Sequence, residues 1–250
     1  MKHESLLKNK KERPDVTEKK TKKQTVLEEV EDGEPAKRVF VIVNFIKMSD
    51  KKSLNLIRLP IPHPFREAQS EDLSVCLITK DPQRQYKDLV NPFQLSSITK
   101  IMGLSKLRDK FKPFEAKRNL CGSFDLFLAD SSVIPMLPKL LGKTFFDKKK
   151  QPAPVNMRRA APDELRNELK EAIESTYYHQ TSGSNASIFV GHVSQSDVHI
   201  AANIEAVVKL LGKKLPGGLK NIRSVMVKTA DSVALPVYAR AASAETAVAE

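Results

Sequence analysis

Two clusters of prolines limit the folds that this chain can adopt. The first cluster contains Pro60, Pro62 and Pro64, and the second contains Pro152 and Pro154. Proline fixes its own φ angle, lacks an N–H donor and disfavours helix at the preceding residue, so each cluster must form an extended connector. We therefore expect the chain to cross from one domain to another at each cluster.

The stretch between the two clusters alternates strand and helix patterns. Short continuous apolar runs are typical of strands that are buried on both faces of a parallel sheet. Ser131 or Ser132 is expected to cap the last helix, and Gly142 to end it. In chain order, strands are predicted at 73–79, 97–101 and 124–130, and helices at 83–90, 104–111 and 133–141. This alternation predicts a small α/β domain with a parallel sheet.

The stretches on either side contain further strands and two amphipathic helices. Strands are predicted at 38–46, 54–59, 187–193, 222–228 and 235–238. One helix should start at Pro162, with its apolar face formed by Leu165, Leu169, Ile173 and Tyr177. Ser196 or Asp197 should cap the second helix, and Gly212 should lie just past its last turn.

Each of these flanking stretches is too small to hold a core alone. The N-terminal strands need a partner sheet, which the C-terminal stretch can supply. We therefore predict an α+β first domain made of 37–66 and 155–240, interrupted by an inserted α/β second domain over 67–154.

Both chain ends are expected to lie outside these domains. Residues 1–36 combine a basic block with the acidic run VLEEVEDGEP, a composition that cannot offset its ordering entropy, so we expect a disordered charged tail. Within it, KNKKERP and EKKTKK match nuclear import signals, although a merely solvating tail explains them equally well. Residues 241–250, AASAETAVAE, are expected to fray.

The residues offer little that supports catalysis or cofactor binding. Leu141-Gly142-Lys143-Thr144 resembles the end of a phosphate-binding loop, but Leu137 occupies the position that needs glycine. His192 and His199 lack the spacing and third ligand of a metal site, and no nucleophile motif is present. Hence we expect no enzyme, no metal and no small-molecule cofactor.

Two further patterns bear on the surroundings in which the protein works. With only Cys76 and Cys121, a disulfide framework is not expected, and both cysteines are interpreted as buried thiols of a reducing compartment. No apolar run reaches the roughly 18 residues that span a bilayer, and the first residues lack the apolar core of a secretory signal. We therefore expect an intracellular protein without a membrane partner.

Basic residues are abundant and clustered. The formal net charge is +12, which favours a polyanionic partner, although solvated charged faces remain an alternative. Because the two halves of the tail cancel, this excess belongs to the folded body. Aromatic residues are sparse, with no tryptophan and no RNP-like aromatic pair. This argues against a platform for single strands, and we expect recognition of folded RNA by shape and backbone contacts. The basic residues predicted to contact RNA are Lys148, Lys149, Lys150, Lys213, Lys214, Lys220 and Arg223.

A series of short motifs resembles a known family. RLPIPHPFR, EDLSVCLITKD, GSFDLFLADSS, LPKLLGKTF and SIFVGHVSQSD follow one another in the order and spacing of the ribosomal protein L-one family, the large-subunit stalk protein. The resemblance is closer to the nucleolar ribosome-assembly factors that carry this domain. It implies a discontinuous first domain with the main rRNA-binding surface and a Rossmann-like inserted second domain. The residues that match this surface are Arg58, Gly191, His192, Lys228 and Thr229.

One departure from the family favours an assembly factor over a ribosomal subunit. Ribosomal members follow the lysine and threonine with Met-Gly, whereas here Ala230, Asp231 and Ser232 follow. An acid facing phosphate is unfavourable. The resemblance thus implies a nuclear or nucleolar protein that binds pre-ribosomal RNA and pre-ribosomal particle proteins. The alternative is a nucleolar protein-interaction adaptor that kept the fold and lost most RNA contacts.

Overall fold

The computed structural model describes residues 37–47, 56–158, 161–180, 183–215 and 217–240. The predictions for 1–36 and 241–250 lie outside these residues. The strands are β1 Arg38–Phe45, β2 Leu56–Leu59, β3 Val75–Thr79, β4 Ile98–Gly103, β5 Leu126–Asp130, β6 Ala153–Val155, β7 Thr176–His179, β8 Asn185–His192, β9 Ile222–Thr229 and β10 Leu235–Ala239. The helices are α1 Gln83–Val90, α2 Leu104–Lys110, α3 Phe114–Gly122, α4 Leu137–Leu141, α5 Lys143–Asp147, α6 Pro162–Glu174 and α7 Asp197–Lys214.

An antiparallel sheet joins the beginning and the end of the folded chain. Its strand order is β10-β9-β1-β8, so β1 lies between two strands that come much later in the sequence. Successive side chains of a strand point to opposite faces, and the buried residues of β1 are accordingly Val39, Val41, Val43 and Phe45. These residues pack in one core with the buried side of α7.

A parallel sheet occupies the middle of the chain, in the order β4-β3-β5-β6. All residues of β3 are buried because the sheet is covered on both sides. Val75 and Leu77 join a core that includes α6, whereas Cys76 and Ile78 join a second core on the opposite face. Helices on both faces of a parallel sheet confirm the α/β class. Between the two larger sheets, β2 pairs antiparallel with β7.

Most predicted elements are present, and four details are wrong. Tyr177 lies in β7 and does not continue α6, which ends at Glu174. Gly212 lies inside α7, where Leu219 packs against it. Neither Ser131 nor Ser132 caps a helix, because their hydroxyls donate to Val155 O and to Asp130 Oδ2.

The fourth wrong detail is the single helix expected at 133–141. The chain there first forms a short 3-10 turn, Ile134–Met136, and then α4. Ser196 precedes α7 as expected, although its side chain makes no capping hydrogen bond. Gly142 ends α4 as expected, with a positive φ of 72°. The domain boundaries at 66/67 and 154/155 stay a prediction. Among the described residues, no helix combines the length and apolar character needed to cross a bilayer.

Candidate nucleic-acid interface

Four of the predicted site residues meet at one end of the antiparallel sheet. Gly191 and His192 end β8, and Lys228 and Thr229 end β9. The start of β1 lies between them, with Arg38 opposite His192 and Phe40 opposite Lys228. Arg38 is exposed, so it adds a further cation at this end.

A second basic group lies at the opposite end of β9. Lys213 and Lys214 end α7, and Lys220 and Arg223 lie around the start of β9. Lys209, Lys213 and Lys220 line a cavity of about 550 Å³. At about 3.3 Å per residue, the five-residue step from Arg223 to Lys228 along β9 separates the two basic groups by roughly 17 Å.

Arg240 connects the second basic group to the last strand. Its backbone N–H donates to Arg223 O at 2.9 Å, and its Nη1 donates to Lys220 O at 2.9 Å. The guanidinium therefore holds the turn before β9 against the end of β10, and it adds one more cation to this group.

The lysine run 148–150 lies apart from both groups, after α5. Lys149 adopts a positive φ of 53°. The Lys150 ammonium donates to Cys121 O at 3.2 Å and to Phe124 O at 2.8 Å. Lys150 therefore ties the end of α3 to the segment after α5, and we remove it from the candidate RNA surface.

Arg58 has a structural partner that the sequence did not reveal. Its Nη2 donates to Glu168 Oε1 at 2.8 Å, and the exposed fractions of the two side chains are 25% and 5%. The Lys214 ammonium donates to the carbonyl of Arg58. Because the Arg58 charge is neutralised by a buried carboxylate, its first role is to hold β2 against α6.

Gly191 provides room for a side chain that crosses over it. A Cβ at this position would overlap with Gln195 Oε1. Gln195 Oε1 accepts from His192 N at 3.3 Å, and its amide nitrogen donates to Pro64 O at 3.3 Å. The glycine thus permits Gln195 to bind the first proline connector to the end of β8.

A buried asparagine fixes the same connector to α7. Asn203 Oδ1 accepts from His63 N at 3.0 Å, and its amide nitrogen donates to His63 O at 2.8 Å and Val190 O at 3.0 Å. The His63 and His199 rings stack at 3.9 Å between centroids. These contacts place Phe65 and Arg66, the next residues of the connector, against β8.

Aromatic rings and arginines cluster at this end of the sheet. We call Arg38, Phe40, Phe65, Arg66, Phe189 and His192 the aromatic–arginine cluster. Ring centroids of Phe65 and Phe189 are 4.2 Å apart, those of Phe189 and His192 are 5.1 Å apart, and those of Phe40 and Phe189 are 5.6 Å apart. The four rings remain partly exposed.

The Phe40–Phe189 contact arises from strand pairing and does not correspond to a local sequence motif. Phe40 and Phe189 are direct partners on neighbouring strands, and such side chains lie on the same face. The sequence indicates only that each phenylalanine lies on the outer face of a predicted strand. The strand pairing is needed to show that the two rings are neighbours.

Arg66 lies half-buried beside the rings of this cluster. Its Cζ lies 4.9 Å from the Phe65 centroid and 6.0 Å from the Phe189 centroid. Burial lowers the pKa of Arg66 and the positive charge of Arg38 lowers it further, whereas Tyr177 and Asp125 oppose this shift. No hydrogen-bond acceptor for its guanidinium occurs among the described residues.

Asp231, the departure from the family pattern, lies in the exposed turn after β9. This turn is stabilised by Thr229 N, which donates to Ser232 Oγ at 2.8 Å. The acid thus lies at the same end of the sheet as Lys228.

The other candidate sites gain no structural support. Gly142 and Lys143 form the junction of two short helices, and His199 stacks on His63. Within the part of the chain that the structure describes, no group of three or more histidines, cysteines or acids could hold a metal ion.

Comparison with known sequences decides the family. The sequence profile described as "Ribosomal protein L1p/L10e family" matches residues 6–233. The chain belongs to this family. The ribosomal L-one fold therefore accounts for the antiparallel sheet, the parallel sheet and their helices.

The relatives of this L-one family member include proteins named for ribosome biogenesis. A Schizosaccharomyces pombe protein with a provisional assignment to ribosome biogenesis is 40% identical over 87% of this chain and 58% of its own length. Ribosomal L1 domain-containing protein 1 of Mus musculus is 31% identical over 81% of this chain and 45% of its own length. Ribosome biogenesis protein UTP30 of Saccharomyces cerevisiae is 27% identical, with 81% of both chains covered. The chain thus spans about half the length of the first and second of these relatives.

Proposed function

We propose that this L-one family member is a non-catalytic ribosome biogenesis factor that binds pre-ribosomal RNA in the nucleolus. The observation that carries the proposal is the basic end of the antiparallel sheet. There Arg38 and Lys228 flank the partly exposed ring of Phe40. Cations beside aromatic rings suit an RNA that offers both phosphates and base faces.

The second basic group extends this surface in the proposal. Lys213, Lys220 and Arg223 are exposed. Along β9, Arg223 lies roughly 17 Å from Lys228 of the first group, which is longer than one nucleotide. A folded RNA can contact both groups at once, whereas a mononucleotide cannot. The names of the relatives support the proposal that the protein binds this RNA in pre-ribosomal particles.

Salt-dependent binding to structured rRNA tests the proposal. We expect affinity to fall steeply with salt, because each lysine or arginine at a phosphate releases counterions. Arg38→Glu together with Lys228→Glu should weaken binding about tenfold or more and flatten the salt dependence. Arg118→Glu, an exposed arginine on α3, is the matched control and should bind like the wild type. An unchanged affinity in the double variant would reject this surface.

A protein-interaction adaptor is the second candidate, and β10 favours it. Leu235, Val237 and Tyr238 are 67%, 65% and 50% exposed, and contiguous exposed apolar side chains are typical of partner surfaces. Under this function, substitution of Leu235 and Val237 by serine would remove recruitment to pre-ribosomal particles and leave RNA affinity unchanged.

A further inference from the structure

The unpaired guanidinium of Arg66 is unusual for its surroundings. A guanidinium carries five N–H donors, and burial of a charged group without hydrogen bonds is unfavourable. Here two phenylalanine rings flank the group, and the described residues supply no acceptor. Asp125, whose negative charge acts on Arg66, accepts from Ser74 N at 3.1 Å and Ser74 Oγ at 2.8 Å and makes no ion pair with Arg66.

The surroundings of Arg66 are held in place by contacts on both sides. Asn203 and Gln195 fix the connector that carries it, and strand pairing fixes Phe40, Phe189 and His192. The rings are therefore already positioned to contact a ligand without rearrangement. Such an arrangement matches a ligand that combines a flat aromatic face with an anionic oxygen.

We infer that the aromatic–arginine cluster binds one unpaired nucleotide of the RNA. Its base stacks on the partly exposed Phe189 ring, which Phe65 meets at an interplanar angle of 61°. Its phosphate accepts hydrogen bonds from Arg66 with support from Arg38. This inference rests on the proposed function and adds a specific requirement to it, since the RNA must present a base outside its helices. Base stacking on aromatic side chains does not depend on the identity of the base, so the cluster selects an unpaired position and not a sequence.

Two RNA hairpins test the inference, one fully paired and one with a single bulged uridine. The wild-type protein should bind the bulged hairpin about tenfold more tightly, which is the usual effect of one stacked base. We expect this preference to fall below about twofold in Phe189→Leu, Arg66→Met and Arg66→Lys, while binding to the paired hairpin is retained. Arg66→Lys is included because a lysine cannot reproduce the planar fork of the guanidinium.

Matched controls are available on α3. Phe114 is exposed and lies beneath Lys117, with 5.8 Å from its centroid to the ammonium. Phe114→Leu and Arg118→Met should therefore retain the full preference for the bulge. Equal binding of both hairpins by the wild type, or an unchanged preference in Arg66→Met and Phe189→Leu, would overturn the inference while leaving the proposed function intact. Absence of salt-dependent binding to either hairpin would instead overturn the proposed function, and the inference with it.

A crosslinking measurement on the unmutated protein removes any dependence on how the variants fold. The bulged uridine is replaced by 4-thiouridine, irradiated in the complex and located by mass spectrometry. Crosslinks to peptides that contain Phe65 and Arg66, or Phe189, support the inference. Crosslinks confined to other peptides would contradict it.

Discussion

Replacement of Arg58 by methionine should destabilise the protein without weakening its RNA binding. The variant leaves Glu168, whose side chain is 5% exposed, without the guanidinium that lies 2.8 Å away. Removal of one partner of a fully buried ion pair costs about 3–5 kcal/mol. Because the Arg58 side chain is 25% exposed, water can reach the pair, and we expect a loss of about 2–3 kcal/mol.

Thermal unfolding measures this loss. For a folded body of this size, 1 kcal/mol lowers Tm by about 2–4 °C, so Arg58→Met should melt roughly 5–10 °C below the wild type. Replacing Glu168 by leucine in the same molecule removes the buried carboxylate that has lost its arginine. The double variant should therefore recover part of the stability, with a coupling energy of about 1–2 kcal/mol.

RNA affinity separates this structural role from the contact that the family resemblance implied. At temperatures below its Tm, Arg58→Met should bind structured rRNA within about twofold of the wild type, since the missing charge was already neutralised. A Tm within 2 °C of the wild type, combined with about tenfold weaker binding, would refute the reasoning and make Arg58 an RNA ligand.

Three further outcomes can be checked. Asn203→Leu removes three hydrogen bonds of a fully buried side chain and should lower the free energy of unfolding by about 3 kcal/mol in urea titration; a loss below 1 kcal/mol would contradict the assigned role. Gly191→Ala should displace Gln195, cost about 1 kcal/mol and raise proteolysis at the first proline connector; unchanged proteolysis would argue against the tether. Burial raises the pKa of the Cys76 thiol to about 12, so the thiol stays protonated at pH 8. It should therefore react with iodoacetamide only after denaturation. Rapid alkylation of the native protein would show that solvent reaches the core.

The strands were predictable from local patterns because their side chains satisfy simple rules. The continuous apolar run around Cys76 reflects a strand covered on both faces, and the alternation in Val39–Phe45 reflects one covered face. The fourth apolar position of α6 misled the prediction, because Tyr177 continues the helical spacing but follows Ser175, where the chain becomes extended. Helix α3 was not predicted, because a proline such as Pro113 breaks a helix interior, whereas here it directly precedes the first residue of α3.

The site was less predictable than the fold because its residues are joined only by tertiary contacts. Lys228 and His192 could be placed by resemblance, but the position of Arg66 beside the Phe65 and Phe189 rings depends on a connector that has no regular structure. Lys150 shows the converse. A charge in a basic run looks available to RNA, yet its ammonium is used by two carbonyls of the same chain.

The position of β1 in its sheet has a consequence during synthesis. Both of its neighbours, β8 and β9, are made after residue 184. At the usual elongation rate of about 5–20 residues per second, β1 spends roughly 7–30 s in the nascent chain before its first partner, β8, is complete. An unpaired strand as apolar as RVFVIVNF is prone to aggregate. The contiguous strands β3 to β6 have no such delay, so the parallel sheet can fold while β1 is still unpaired.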